Sequence, residues 1–348
     1  MSLDCQLAPM DGMSHAAFRS ICFEYGADGA CTEMVAAISY ARARPKRMPI
    51  FDSLLNRRPE EGLLAAQIIG NEPEMMAEAA RRIEGLNRFD AVEINMGCPA
   101  RTVVSSGNGV AIMQNLPLAE AIIRAVCAAV SMPVRLKMRL GWDDAHITAP
   151  EIARIAEDAG CSAITLHGRT RSQMYCGEVQ IAQMRRVREA VSIPLYANGA
   201  VETAADAAAF AAAVGTEYVC IGRAALKQPW IFDDIKRLER GEALPERDAR
   251  ERIDILLRLA ERLCLLKPEH LAICEMRKFS TWYLQGLADS EAALSRLYCC
   301  SEHAAFVDLL SDYLHVLTIN DALRVLNKDG DPSLDTNKCY VHREKKDQ

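Results

Sequence analysis

No stretch of the chain reaches about 18 uninterrupted apolar residues, so none reads as a transmembrane helix. Met1-Ser2-Leu3-Asp4-Cys5 leads into the first strand-like run without the apolar core of a signal peptide, and a soluble, cytoplasmic protein with no membrane partner is expected. There is no Cys-x-x-Cys pair. The 13 cysteines lie mostly inside apolar runs and Cys299-Cys300 are adjacent, which reads as reduced, buried thiols rather than disulfides or a metal site. Positive charge is also in deficit: a formal charge of −6 argues against a protein that coats nucleic acid through bulk electrostatics. A nucleic-acid partner would need a local patch. Arg42, Arg44, Lys46 and Arg47 in one loop, Arg169 with Arg171, Arg185 with Arg186, and Arg277 with Lys278 are the candidates, each read alone as solvated surface charge. Finally, no Gly-x-Gly-x-x-Gly follows the first run, so nothing receives the adenylate half of a dinucleotide.

Eight short apolar runs are present, each closing on a residue able to touch a ligand: Met10, Glu33, Gln67, Asn95, Lys137, His167, Asn198 and Arg223. Between them lie helical patterns over 16–25, 73–83, 117–130, 150–159, 181–191, 203–213 and 230–238. Near-complete alternation of strand and helix, with polar residues gathered at strand ends, predicts an α/β fold, a (β/α)8 TIM barrel whose catalytic face collects those ends. The 348 residues exceed the roughly 250 of a minimal barrel. After Pro245 the alternation stops and only helical spacing continues, which predicts a barrel over 1–244, an all-helical domain over 245–328 and a polar, disordered tail over 329–348. The interval 34–63 is the longest connection without a strand and carries the first basic cluster.

Glycine marks the last strand ends, in His167-Gly168-Arg169-Thr170, Asn198-Gly199-Ala200 and Gly222-Arg223-Ala224. Glycine lets a phosphate approach backbone N–H groups closely, and the loops after strands seven and eight are the usual phosphate site of such barrels. A phosphorylated cofactor is therefore implied. Lys137 at the end of an apolar strand suits the anionic edge of a reduced flavin, or else pairs with Glu33 or Glu93. Gln67 can complement a mixed donor and acceptor edge. Asn95-Met96-Gly97-Cys98-Pro99 places a thiol at a strand end, mostly protonated at neutral pH given a reference pKa of about 8.5. Gly107-Asn108-Gly109 follows at the next helix entrance and orders this loop.

In order and spacing, Ala8-Pro9-Met10-Asp11-Gly12, Glu33-Met34, Gln67-Ile68-Ile69-Gly70, Asn95-Met96-Gly97-Cys98-Pro99, Lys137-Met138-Arg139-Leu140-Gly141-Trp142, His167-Gly168-Arg169-Thr170, Ala197-Asn198-Gly199 and Ile221-Gly222-Arg223-Ala224 resemble the flavin-dependent tRNA-dihydrouridine synthases. The resemblance covers nearly the whole chain. It implies FMN over the barrel, reduced by NADPH or NADH, which then reduces the C5–C6 bond of a uridine in tRNA. Hydride would pass from flavin N5 to uracil C6 while Cys98, carried over as the general acid, protonates C5. The family's flavin contacts fall on Pro9, Met10, Gln67, Lys137, His167, Asn198, Gly199, Gly222 and Arg223, and Asn95 falls on a uracil contact. Met276-Arg277-Lys278-Phe279 with Trp282-Tyr283 is similar to the family's helical RNA-binding bundle, which makes Arg277 and Lys278 substrate contacts. Two departures, Ser14-His15 where Thr-Asp is common and Gln180 where Trp often follows Gly177-Glu178, bear on which uridine is chosen rather than on the reaction. The competing readings are an FMN barrel acting on a small free pyrimidine, which would not need a helical tail, and a phosphate-binding isomerase or decarboxylase without flavin.

Overall fold

The computed structural model describes the backbone of residues 2–328 and the side chains of residues 2–319; the tail expected over 329–348 lies outside the described residues. Eight parallel strands close into one barrel in sequence order: β1 (Asp4–Leu7), β2 (Gly29–Ala36), β3 (Leu63–Ile69), β4 (Ala91–Met96), β5 (Val134–Arg139), β6 (Ala163–His167), β7 (Leu195–Asn198) and β8 (Tyr218–Ile221). Each strand falls on or against the run expected of it, but β1 ends at Leu7, three residues before Met10, and β8 at Ile221, two before Arg223. Helices Pro73–Glu84, Leu116–Ala129 and Ala149–Asp158 carry proline in their first turn, where its missing N–H would have no partner anyway.

Successive strand residues point to opposite faces, and here the two faces differ in chemistry. The outward residues Ala66, Ile68, Val92, Ile94, Leu136, Ile164, Leu166 and Leu195 pack with the helix residues Met76, Ala80, Ile83, Ile122, Val126, Ile152 and Val187 in one apolar cluster. Nearly all are fully buried, and each large one contributes about 1.5–3 kcal/mol by leaving water. The inward residues are polar or small. Across the shared register Gln67 stands beside Glu93, Glu93 beside Arg135, Asn95 beside Lys137, Arg139 beside His167 and His167 beside Asn198. Barrel interiors are usually layered with branched aliphatics. This one instead leads polar groups up the strands to their carboxyl ends.

Three features are not expected from the sequence. β2 runs on to Ala36, with a register shift between Cys31 and Met34, so that a bulge re-aims its end. The interval after it contains short helices, Ala37–Ala41 and Met48–Leu54. Short helices Arg101–Ser105 and Arg223–Lys227 follow β4 and β8, too brief to show periodicity.

The chain divides into two compact units, Met1–Pro245 and Glu246–Gln348. In the second, helices Ala249–Cys264, Glu269–Leu284, Ser290–Leu297 and His303–Lys328 gather around Ile253, Leu256, Leu259, Ile273, Met276, Phe279, Tyr283 and Leu310. Asp248 caps the first of them, its carboxylate accepting the Glu251 N–H at 2.8 Å.

Candidate active site

A cavity of about 810 Å³ opens at the carboxyl ends of the strands. Of the eight strand-end residues singled out from the sequence, seven line it: Met10, Gln67, Asn95, Lys137, His167, Asn198 and Arg223. Glu33 does not. The bulge in β2 brings Met34 to the wall instead, and Glu33, 8% exposed, accepts the Gly12 N–H at 2.7 Å and so holds the loop after β1. Pro9, Cys98, Gly199 and Gly222 also face the cavity.

The walls differ in chemistry. Met10, Met34, Met138, Ile221 and Leu226 offer an apolar surface on which a flat ring can lie, and methionine adapts its shape to what it meets. Lys137, Arg139, Arg223 and Lys227 supply four cations, against the two carboxylates Asp11 and Glu202. Lys137 Nζ donates to Asn198 Oδ1 at 3.3 Å rather than to a carboxylate. Glu93, one of its two possible partners, instead accepts from Gln67. Burial, reinforced by the charges of Arg139, Lys137, Arg169 and Arg223, pushes His167 far below its ordinary pKa and keeps the ring neutral. A cavity with cations in excess and a histidine unable to accept a proton is complementary to an anion.

The loop closing β4 is built to present the thiol. Asn95 Oδ1 accepts the backbone N–H of Gly97 and of Cys98, each at 3.0 Å, and Arg139 Nε donates to Gly97 O at 3.0 Å. Gly109, at φ +60, carries the next turn against it: a Cβ there would meet Cys98 O at 2.6 Å, so only glycine fits. Burial raises the Cys98 pKa, while the Ala100 N–H, Arg139 and Lys137 oppose that shift. The group therefore stands as a thiol able to give a proton, and the anion it would leave faces two cations. Gly199, at φ +122, lets the chain pass His167 closely; a Cβ would stand 2.8 Å from the imidazole ring.

Arg139 and Tyr175 are among the site residues not singled out from the sequence. Arg139, 1% exposed, lies two residues beyond Lys137 and thus on the same face of β5; it also donates to Thr170 O and Met174 O. Tyr175 sits in the loop those bonds hold, its ring 5.2 Å from the Arg139 guanidinium and 5.5 Å from that of Arg223. Half of Tyr175 is exposed at the cavity. Alternation carries a signal for Arg139; a single tyrosine in an irregular loop gives none. Arg169, a candidate for a surface patch, is buried and ties Gly177 O and Gly199 O together.

Arg277 and Lys278 lie on helix Glu269–Leu284 in the second unit, Lys278 exposed and Arg277 half-buried. The aromatic neighbours divide: Tyr283 is fully buried, and Trp282 is half-buried with its ring edge-on to Phe279. Among the described residues no group of three His, Cys, Asp or Glu could hold a metal ion, and no helix is long and apolar enough to cross a membrane.

A closed parallel barrel with a cationic, thiol-bearing cavity at its strand ends is the architecture of a barrel enzyme. The chain belongs to the dihydrouridine synthase family: the family model "Dihydrouridine synthase (Dus)" matches residues 6–314. It is 36% identical to tRNA-dihydrouridine synthase B of Shewanella oneidensis over 312 residues, covering 88% of this chain and 95% of that protein. It is 38% identical to the Vibrio cholerae protein of the same name, over 80% of this chain and 85% of that one. The Pseudomonas aeruginosa protein of that name is 36% identical over 84% of this chain and 87% of its own length.

Proposed function

We propose that this protein is a tRNA-dihydrouridine synthase that reduces the C5–C6 double bond of a uridine in tRNA, using FMN and NADPH or NADH. The observation that carries the reading is the meeting of an anion-seeking set of cations and a protonated Cys98 around one cavity. The donor set fits FMN: Lys137, Arg223, Gly199 and Gly222 suit its phosphate and its anionic reduced edge, Pro9 and Met10 its ring face, and Gln67, His167 and Asn198 its polar rim. When bound, FMN supplies the electrons for the reduction and is recharged by the nicotinamide cofactor.

The chain's own residues do the rest. The cavity admits the base only after it is turned out of the RNA stack, at a cost of a few kcal/mol. Asn95, fixed by its two backbone bonds, holds the pyrimidine edge. Cys98 Sγ gives its proton to C5, so that C5 gains one hydrogen as C6 is reduced, and the thiolate left behind is offset by Lys137 and Arg139 before it is reprotonated from solvent. In the helical unit, Arg277 and Lys278 take phosphates of the tRNA body.

The test combines two measurements on the purified protein. Heat should release FMN identifiable by chromatography, and the flavoprotein supplied with NADPH or NADH should form dihydrouridine in unmodified tRNA. FAD, or no flavin, would contradict the cofactor assignment. Turnover of a free pyrimidine without turnover of tRNA would contradict the substrate.

A further inference from the structure

The wall made by β3 and β4 carries three side chains whose hydrogen bonds all run one way. Gln67 Nε2 donates to Glu93 Oε1 at 2.7 Å; Asn95 Nδ2 donates to Gln67 Oε1 at 2.9 Å; Asn95 Oδ1 accepts from Gly97 N and Cys98 N. Glu93 is 1% exposed, Gln67 2% and Asn95 7%, so water does not compete for these bonds.

We propose that Glu93 is a positioning residue that fixes the orientation of the Gln67 and Asn95 amides, so that both turn N–H groups toward the cavity. A primary amide can sit either way round, and only its partners decide which. Here both ends of the chain agree. Backbone N–H groups at the upper end demand the Asn95 oxygen; a carboxylate at the lower end offers only acceptors and demands the Gln67 nitrogen. Each amide nitrogen has a second hydrogen beyond the one spent within the chain; for Asn95 the other contact is Met34 Sδ, a weak acceptor 3.9 Å away on the cavity wall. Glu93 itself stands opposite Arg135 in the strand register, within reach of its charge. Bonds to a charged acceptor polarise the chain behind them, so the influence of Glu93 reaches Asn95 although it does not line the cavity.

The consequence for recognition rests on the proposed function. With Gln67 turned to the flavin, it is the Asn95 N–H that meets the substrate: it suits a ring edge carrying a carbonyl oxygen, as in a pyrimidine-2,4-dione, and disfavours a 4-aminopyrimidine, whose donor would meet a donor. Glu93 thereby favours uracil over cytosine from below the cavity floor.

The test uses the FMN-loaded, full-length protein with 15N-labelled asparagine and glutamine, and unmodified tRNA as the substrate. The Asn95 side-chain resonance is identified by its loss in Asn95→Asp. Glu93→Gln keeps the shape of the side chain but ends the one-way demand. It should speed hydrogen exchange of the Gln67 and Asn95 side-chain amides and shift their resonances. It should also lower kcat for uridine reduction by roughly ten- to a hundredfold, the worth of a hydrogen bond to a charged group, while KM for tRNA stays near the wild-type value. Should Glu93→Gln fail to fold, Glu93→Asp keeps the charge beside Arg135, withdraws only the acceptor from Gln67, and carries the same expectation. A merely structural Glu93 would lower the melting temperature and leave amide exchange and kcat unmoved, and that result would overturn the proposal. Failure of the wild-type protein to form dihydrouridine in any tRNA would instead overturn the proposed function, and amide exchange would still decide the role of Glu93.

Discussion

The two faces of the barrel strands can be compared residue by residue, because neighbours in sequence point opposite ways. On β5, Leu136 is fully buried in the cluster between strands and helices, while Lys137 faces the cavity and bonds to Asn198. On β4, Ile94 is fully buried in the same outer cluster and Asn95 braces the Cys98 loop. The outer face carries the stability and the inner face carries the chemistry, on alternate residues of one short strand. An interior given over to polar groups forgoes the aliphatic layers that commonly fill such barrels, which leaves the outer jacket as the main apolar support of the fold.

The largest expected effect lies at the inner face. Cys98→Ala should keep the fold, the flavin and its reduction by nicotinamide, while the uridine-reduction step, measured in a single turnover with pre-reduced flavin, slows by roughly two to four orders of magnitude. An unchanged rate would assign the proton to another group. Next comes the pair on β5. Leu136→Ala should cost about 2–5 kcal/mol in urea unfolding, since it leaves a cavity in the jacket, yet the folded fraction should retain flavin. Lys137→Met should unfold close to the wild type but release flavin more readily. If Leu136→Ala instead loses flavin while remaining fully folded, the division between faces breaks down.

Smaller effects sharpen the contrast between units. Arg277→Glu with Lys278→Glu should weaken tRNA binding and reduce its salt dependence by about 0.7–0.9 log units for each phosphate no longer neutralised, with flavin reduction untouched. Wild-type affinity and slope would turn attention to the exposed loop Arg42, Arg44, Lys46 and Arg47. The smallest effect is one of pH. His167 is held neutral in the folded flavin-free protein, with a pKa far below its unfolded value of about 6.5. Below that pH the unfolded chain binds a proton that the folded chain refuses, so stability is full above about pH 6.5 and falls as pH drops, by at most about 1.4 kcal/mol per unit. His167→Gln should flatten that dependence in denaturant titrations between pH 5 and pH 7, and an unaltered slope would assign it elsewhere.

Much of this is legible in the sequence. Every strand can be found there because a polar residue closing a short apolar run is a local signal, and the Cys98 loop stands out because Gly97 and Pro99 make little sense around a core cysteine. What escapes has physical reasons. The bulge in β2 breaks the alternation that would place Glu33 inside, and no residue type announces it. Glu93 reads in the sequence only as a counter-charge for Lys137, although the register sets it beside Gln67 and Arg135. Tyr175 reaches the cavity through a loop fixed by Arg139, a contact between distant parts of the chain.

Mapping dihydrouridine in tRNA from cells lacking this protein tests the central claim, that the polar mouth of the barrel reduces a uridine in tRNA. Dihydrouridine should vanish from at least one position and return when the wild-type protein is restored, and it should stay absent with Cys98→Ala. An unchanged dihydrouridine map in cells without the protein would contradict the account.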